Sequence, residues 1–543
     1  MLPLRYWAFA ACLLLALASV VGLFWSATWI WPALIFGLLS LVGVTDLMQK
    51  THTLPRNYPV IAHLRYFLES IGPEIRQYFI EADNDERPFS RQQRSLVYQR
   101  AKNTLDKRPF GTQLDLYADK YEWINHSLAP TDVASHDFRI VIGGSRAQPY
   151  SASVFNISAM SFGSLSANAI RALNEGARRG NFFQDTGEGS ISQYHRENGG
   201  DIVWEIGSGY FGCRGADGMF SEEKFVANAC TAQVKMIEVK LSQGAKPGHG
   251  GVLPGVKVSP EIAAARGVPV GVDCVSPARH SAFSTPVELL QFVDRLRRLS
   301  GGKPTGFKLA IGHPWEWFAI AKAMRETGVL PDFIVVDGGE GGTGAAPLEF
   351  TDHVGAPLRE ALLLVHNTLV GLELRQHIRI GAAGKVITAF DIARTLALGA
   401  DWCNAARGYM FALGCIQSLS CHTDRCPTGV ATQNQQRQKA LVPIDKATRV
   451  HQFHENTLMA LRELIAAAGL SHPEELGPEH IIRRVSSTEV RSLSVLHRFM
   501  EPGELLGETM PDHPAFQAFW RDARSDSFIA PRRVLDMRAS KSR

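Results

Sequence analysis

The stretch TGFKLAIGHPWEWFAIAKAMRETGVLPDFIVVDGGEGGTGAAP, Thr305 to Pro347, decides the fold. A short apolar run, Thr305–Leu309, leads into a helical pattern over residues 315–327. A second apolar run, Phe333–Asp337, follows and breaks into glycines. A strand, an amphipathic helix and a strand in this order predict parallel pairing through a crossover helix. The same alternation continues on both sides, with candidate strands at 154–158, 182–185, 236–241, 268–275, 378–382 and 402–406 and helical patterns at 166–179, 286–299, 358–374 and 388–398. Eight strands, many followed by polar and Gly-rich segments, favour an α/β fold of the TIM (β/α)8 barrel type over an open sheet, because a barrel gathers its active site at the strand ends.

The 543 residues carry 57 basic and 53 acidic side chains, a balance that gives no sign of nucleic-acid binding. Two apolar runs, residues 7–24 and 29–44, read as an N-terminal transmembrane helical hairpin, the first near the ~20 residues a span needs and the second slightly short. Trp25, Trp29 and Trp31 mark the turn, where aromatic rings prefer the headgroup zone. Arg5, Lys50 and Arg56 flank the pair, which predicts a multi-pass anchor in the cytoplasmic (inner) membrane with the catalytic domain facing the cytoplasm. A signal peptide is the alternative, disfavoured by the length of the apolar run and by the second run that follows. The expected organisation is hairpin 1–50, a partly helical linker 51–133, the barrel 134–440, and a helical extension 441–543 that includes a short helix at 478–485 and a basic tail. Arg91, Arg94 and Arg100 read as a solvated helix face. Five of the eight cysteines are scattered, so no disulfide framework is expected.

The other three cysteines, Cys415, Cys421 and Cys426, stand C-x5-C-x4-C with Pro427 after the last. Thiolates hold iron-sulfur clusters, and a Pro behind the final Cys is common in such runs. Three ligands suit a 3Fe-4S cluster, with a zinc site that draws on His422, or inert buried thiols, as alternatives. Gly-rich segments fall at predicted strand ends: residues 185–189, with Asp185, Thr186, Gly187, Glu188 and Gly189; residues 244–251; and residues 337–347, with Gly342, Thr343, Gly344 and Ala345. Gly384 and Arg407 follow the seventh and eighth strands, where barrels commonly bind phosphate. No G-x-G-x-x-G opens a helix after a first strand, so a nicotinamide-binding unit is not expected.

The run from Ser158-Ala-Met-Ser-Phe-Gly-Ser through Thr-Gly-Glu-Gly, Gln-Gly-Ala-Lys-Pro-Gly, Gly-Gly-Thr-Gly-Ala-Ala-Pro and the cysteine segment to Gln433 resembles the synthase domain of glutamate synthase. The likeness spans roughly residues 130–490, and the anchored, stand-alone layout is similar to the FMN-binding glutamate synthase family. It implies FMN, a 3Fe-4S cluster on Cys415, Cys421 and Cys426, and reduction of 2-iminoglutarate, formed from 2-oxoglutarate and ammonia, to glutamate. Met160, Ser161, the Thr186 to Gly189 loop, Lys240, Gly342 to Ala345, Gly384 and Arg407 fall where the family surrounds FMN. Lys308 matches the strand lysine near flavin and substrate, and an inward ammonium on a barrel strand is costly without an anion. Lys308, Lys240 and His249 are the expected catalytic side chains. Expected partners are the membrane, an electron-donor protein (ferredoxin or a reductase subunit) and a possible separate glutaminase subunit, since no N-terminal Cys nucleophile is seen. Two departures stand out: His249 where the family has Glu, and LAIGHPWEW after Lys308 in place of the usual segment. They leave open another imine or amine, as in N-methylglutamate synthase-like enzymes, and a membrane-bound electron relay without turnover.

Overall fold

The computed structural model describes residues 3–84, 87–532 and 534–536. Two compact units part at residues 92 and 93, inside the stretch read from the sequence as a linker.

The first unit contains α1 (Trp7–Gly22) and α2 (Ile30–Met48). Their seam is built from small and polar side chains: Cys12, Ser19 and Gly22 on α1, and Ser40, Gly43 and Asp46 on α2. A Cβ at Gly43 would lie 2.2 Å from the Phe9 ring, and one at Gly22 2.4 Å from the Trp29 ring. Large apolar side chains point outward instead, among them Leu14, Leu17, Leu34, Leu38 and Leu41. Among the described residues Ala27–Met48 is the one helix long and apolar enough to cross a membrane, and Trp7–Gly22 is shorter. The sequence reading had the lengths reversed. α1 ends early because the chain folds back where Gly22 meets Trp29, whereas α2 runs on through Thr45 and Asp46. A third helix, α3 (Ala62–Ile75), follows.

The second unit is a closed parallel barrel of β1 (Phe155–Ile157), β2 (Gln184–Asp185), β3 (Ile202–Ile206), β4 (Val234–Lys240), β5 (Thr305–Leu309), β6 (Phe333–Asp337), β7 (Arg379–Ala383) and β8 (Trp402–Ala405), in sequential order. β5 is buried along its whole length, as a strand walled by barrel interior and outer helices must be. Helix α4 (Ala167–Arg179) follows β1, α5 (Arg407–Leu413) opens directly after β8, and the 25-residue α6 (Pro443–Ala467) packs on α4. The α4–α6 contact is so close that a Cβ at Gly176 would sit 2.4 Å from Val450.

The structure corrects several expectations. Residues 268–275 do not enter the barrel. Only Cys274–Val275 is extended, and it pairs antiparallel with Val252–Leu253. Pro269 and Gly271 break the run, and Val270 and Val272 face solvent. The missing strand is β3, whose apolar pattern is masked by Glu205. The expected helix at 478–485 is largely a strand, Ile481–Arg484, pairing with Glu122–Ile124 and Val490–Ser492; its adjacent β-branched Ile481 and Ile482 suit that role. Arg94 and Arg100 are buried, not solvated, with Arg100 held by Asp106 at 3.1 Å and Thr457 at 3.4 Å. Residues 537–543 of the basic tail lie outside the described residues.

Candidate active site

Inside the barrel, Lys308 on β5 is 4% exposed and meets carboxylates from neighbouring strands. Its ammonium bonds Glu205 of β3 and lies 3.4 Å from Glu238 of β4. Carboxylate oxygens of Asp185, Glu205 and Glu238 all fall within 4.8 Å of one another. A dry interior penalises charge unless it is compensated. Burial would strip the Lys308 proton, but Glu205, Glu238, Asp185 and Asp337 outweigh it and hold the ammonium well above its usual range. The carboxylates outnumber the one cation. Burial and Glu205 push Asp185 up to about 7, and burial and Asp185 push Glu238 well above the carboxylate range. At neutral pH the cluster therefore stores a proton on the Asp185–Glu238 side and keeps Lys308 cationic, so Lys308 is a fixed charge rather than a free base. Two members reach upward: Gly187 N–H donates to Asp185 Oδ1 at 2.9 Å, and Gly244 N–H to Asp337 Oδ2 at 3.0 Å.

Above this layer, Lys240 at the end of β4 places Nζ 3.2 Å from Glu188 Oε2. Glycine is required nearby, since a Cβ at Gly251 would stand 1.7 Å from Glu188 Oε1. Burial would raise the Glu188 carboxyl, but Lys240, Arg266 and Lys246 outweigh it and hold it ionised. Three cations thus face one carboxylate. Arg266 is 4% exposed, donates to Phe162 O at 3.1 Å and Ser161 Oγ at 3.4 Å, and leaves its Nε without a partner. Lys246 Nζ donates to Ala345 O at 3.2 Å. His280 bonds Lys240 O at 2.8 Å, and burial lowers it to about 4, so it is neutral. His249 is half-buried, its Nδ1 2.8 Å from Gly250 O and its ring edge-on to Phe350 at 5.3 Å.

The cofactor-associated residues of the sequence reading come together around this rim. Gly187, at φ +63, brings its backbone against Met160 and Ser161, where a Cβ would be 2.8 Å from Ser161 N. Arg407, the first residue of α5, donates to Thr343 O at 2.8 Å, and a Cβ at Gly342 would be 3.1 Å from its Nε. Gly384 lies beside Glu340, whose Oε2 accepts from Leu358 N–H at 2.9 Å.

The cysteine loop closes against the same rim. Arg407 Nη1 is 4.0 Å from Cys421 Sγ, and a Cβ at Gly344 would lie 3.8 Å from Cys421 Cβ. Gln417, Leu419 and Asp424 all take positive φ, which winds the loop tightly between its first and last thiols. Gln417 N–H points to Cys415 Sγ at 3.5 Å. Burial opposes ionisation of Cys426, yet N–H groups of Ala431, Thr428 and Val430 and the Thr428 hydroxyl outweigh it and lower the thiol; burial raises Cys415 to about 11. Lys257, 2% exposed, ties the loop down by donating to Ser164 O at 2.8 Å, Ala431 O at 3.2 Å and Cys421 O at 3.3 Å. The Tyr98 hydroxyl donates to Cys415 O at 2.6 Å. Thiolates around one zinc ion lie roughly 3.8 Å apart, the separation that a Zn–S bond of about 2.3 Å sets. Among the described residues the three-member His/Cys/Asp/Glu group with ligand atoms all within 4.8 Å of one another is that of the barrel carboxylates, and these sulfurs form no such group.

Glu205, Glu238, Lys257 and Arg266 were missed in the sequence, whereas Asp185 and Lys246 fell inside the Gly-rich segments without being given a role. The signal for Glu205 and Glu238 was present, as a carboxylate among the apolar residues of Ile202–Ile206 and of 236–239, each of which demanded a buried cation.

A family model described as a conserved region in glutamate synthase matches residues 120–471, more than half of the chain. The glutamate synthase large subunit-like protein YerD of Bacillus subtilis is 38% identical over 506 residues, covering 85% of this chain and 96% of that protein. The archaeal glutamate synthase (NADPH) of Methanocaldococcus jannaschii is 36% identical over 342 residues, covering 63% of this chain and 64% of that protein. Among solved structures, a mutant flavocytochrome b2 with pyruvate bound is similar at 13% identity and a TM-score of 0.39, over 82% of this chain and 93% of that chain.

Proposed function

We propose that this chain, which belongs to the glutamate synthase family, reduces 2-iminoglutarate, formed from 2-oxoglutarate and ammonia, to L-glutamate with FMN and a 3Fe-4S cluster, anchored in the membrane by α1 and α2. The observation that carries the pairing of cofactors is Arg407, whose guanidinium reaches both the glycine loop at Thr343 and the thiol of Cys421.

The residues present fit both groups. Arg407, the amides of Gly342 to Ala345 and Gly384 would hold the FMN phosphate at the ends of β7 and β8, and Met160, Ser161 and the Thr186 to Gly189 loop would line the rest. Cys415, Cys421 and Cys426 would hold the cluster, with backbone N–H groups already directed at two of the sulfurs. When bound, the flavin supplies hydride transfer and the cluster single electrons.

The chain's own groups supply the remainder. Lys240, Lys246 and Arg266 exceed the charge of Glu188, so the rim attracts anions, and a dicarboxylate satisfies the surplus. Lys308 fixes positive charge in the barrel. The Asp185–Glu238 pair holds a proton beneath the rim, and Asp185 is tied to the rim loop through the Gly187 N–H that its Oδ1 accepts. Electrons come from a separate donor, ferredoxin or a reductase subunit, and ammonia from solution or a glutaminase partner. The small, polar seam and apolar exterior of α1 and α2 support the anchor, because lipid-facing helices pack through small residues. Arg5, whose guanidinium bonds Asn57 at 3.3 Å, brings the basic flanks to one end of the hairpin, the cytoplasmic side in this reading.

Dithionite-reduced protein, mixed anaerobically with 2-oxoglutarate and ammonium, is expected to reoxidise its flavin and release glutamate. Failure with both ammonium and methylamine would overturn the reading. His249 against Phe350 favours a second form of it, in which this less anionic edge of the rim admits an alkylated amine; faster reoxidation with methylamine than with ammonium would establish that form.

A further inference from the structure

The first unit carries an apolar surface that the two-helix hairpin does not explain. Along α3 and the turn that continues it, Arg76–Ile80, large apolar residues recur at Ile61, Leu64, Phe67, Leu68, Ile71, Ile75, Tyr78 and Phe79. At 3.6 residues per turn the positions from Ile61 to Ile75 fall within about a third of the helix circumference, and Tyr78 and Phe79 follow in a π turn. The opposite side carries His63, Arg65, Glu69, Ser70 and Glu74 together with Tyr66, with Arg65 and Glu69 paired at 2.7 Å, and the π turn adds Arg76, Gln77 and the exposed Ile80. The apolar face is open: Leu64 is 56% exposed, Leu68 51% and Phe79 86%.

The start of this helix is fixed to the end of α2. Asp46, buried in the last turn of α2, accepts from Val60 N–H at 2.9 Å and bonds His63 Nε2 at 2.9 Å, while the Val60 side chain covers Gly43. The amphipathic helix therefore begins at the level where the span ends, among the basic residues Lys50, Arg56 and Arg65.

We infer that residues 61–80 form an interfacial helix whose apolar face is buried in the lipid headgroup region of the membrane that α2 crosses. The inference rests on the anchor reading above. A helix with one wide apolar face, a charged opposite face and basic flanks binds bilayer surfaces by area buried plus attraction to anionic lipid. The occupant is lipid rather than protein because the Asp46 clamp starts this exposed apolar face at the end of α2, whose own leucines Leu34, Leu38 and Leu41 are exposed, and because basic residues flank the junction. Its consequence is a three-point attachment, two spans and one surface helix, which limits the tilt of the first unit against the bilayer.

The test uses the full-length protein in vesicles of zwitterionic and anionic phospholipid, with the photocrosslinking residue p-benzoylphenylalanine placed singly at Leu68, Phe79, Ser70 or Leu38. Lipid adducts are expected at Leu68, Phe79 and Leu38, with their loss at Ser70. Adducts at Leu38 but none at Leu68 and Phe79 would overturn the interfacial helix and leave the anchor standing. Equal labelling at Ser70, or protein adducts replacing lipid ones at Leu68, would also overturn it. No lipid adduct at Leu38 would sink the anchor reading and the inference with it.

Discussion

Lys308 is the residue on which the barrel's electrostatics turn. Its ammonium lies among four carboxyl side chains, Asp185, Glu205, Glu238 and Asp337, and removing it leaves them facing one another in a dry interior. Breaking a buried pair by deleting one partner costs about 3–5 kcal/mol, so Lys308→Met is expected to lower the unfolding midpoint markedly and abolish turnover. Adding Glu205→Leu should recover part of the stability and none of the activity, and a double variant no more stable than Lys308→Met would contradict the cage. A second consequence is a pH dependence. Burial and Glu205 raise Asp185 to about 7 in the folded chain, above the ordinary carboxylate value. The folded state then binds a proton that the unfolded state has released. The stability that this carboxyl contributes is fully present below the ordinary value and is lost as pH rises towards about 7. Midpoints measured between pH 5 and 8 should fall less steeply for Asp185→Asn than for the parent, and parallel slopes would contradict the assignment. Lys308 and Lys240 were singled out through the family resemblance, with the support that an inward ammonium on a barrel strand needs an anion. Glu205, Glu238 and Arg266 were missed because their meaning lies in partners from other strands and loops.

At the scale of elements, β6 was legible as an apolar run, Phe333–Val336, ended by Asp337 and glycines, and β5 as a short strand, with Lys308 in it, that leads into an amphipathic helix. β3 was not legible, because Glu205 interrupts its apolar run and its purpose appears only across the barrel. The false strand at 268–275 had the right composition, but Pro269 and Gly271 deny it a ladder. Local spacing made the cysteine loop and the glycine rim readable, since each is contained in a dozen residues. The α4–α6 contact was not readable, as nothing in either helix announces its partner. That contact gives a sharp test. Gly176→Ala gains up to about 1 kcal/mol of helix propensity, yet its Cβ meets Val450 at 2.4 Å, and overpacking costs about 1–3 kcal/mol. A net fall in the unfolding midpoint is expected, with partial recovery on adding Val450→Ala. A rise for Gly176→Ala alone would show that the interface yields.

For the whole molecule, the barrel and its family membership were visible in motif order, while the proposed anchor rests on hydropathy and on the small-residue seam between α1 and α2. The central claim is that one barrel mouth holds a flavin and a three-iron cluster side by side, joined through Arg407. Visible absorption and EPR spectra of the purified full-length protein, as isolated and oxidised, test this most directly. Flavin bands together with the signal of an oxidised three-iron cluster are expected, with the iron signal lost and the flavin kept in Cys421→Ser. A flavin-containing protein without that iron signal, or with zinc in its place, would contradict the account.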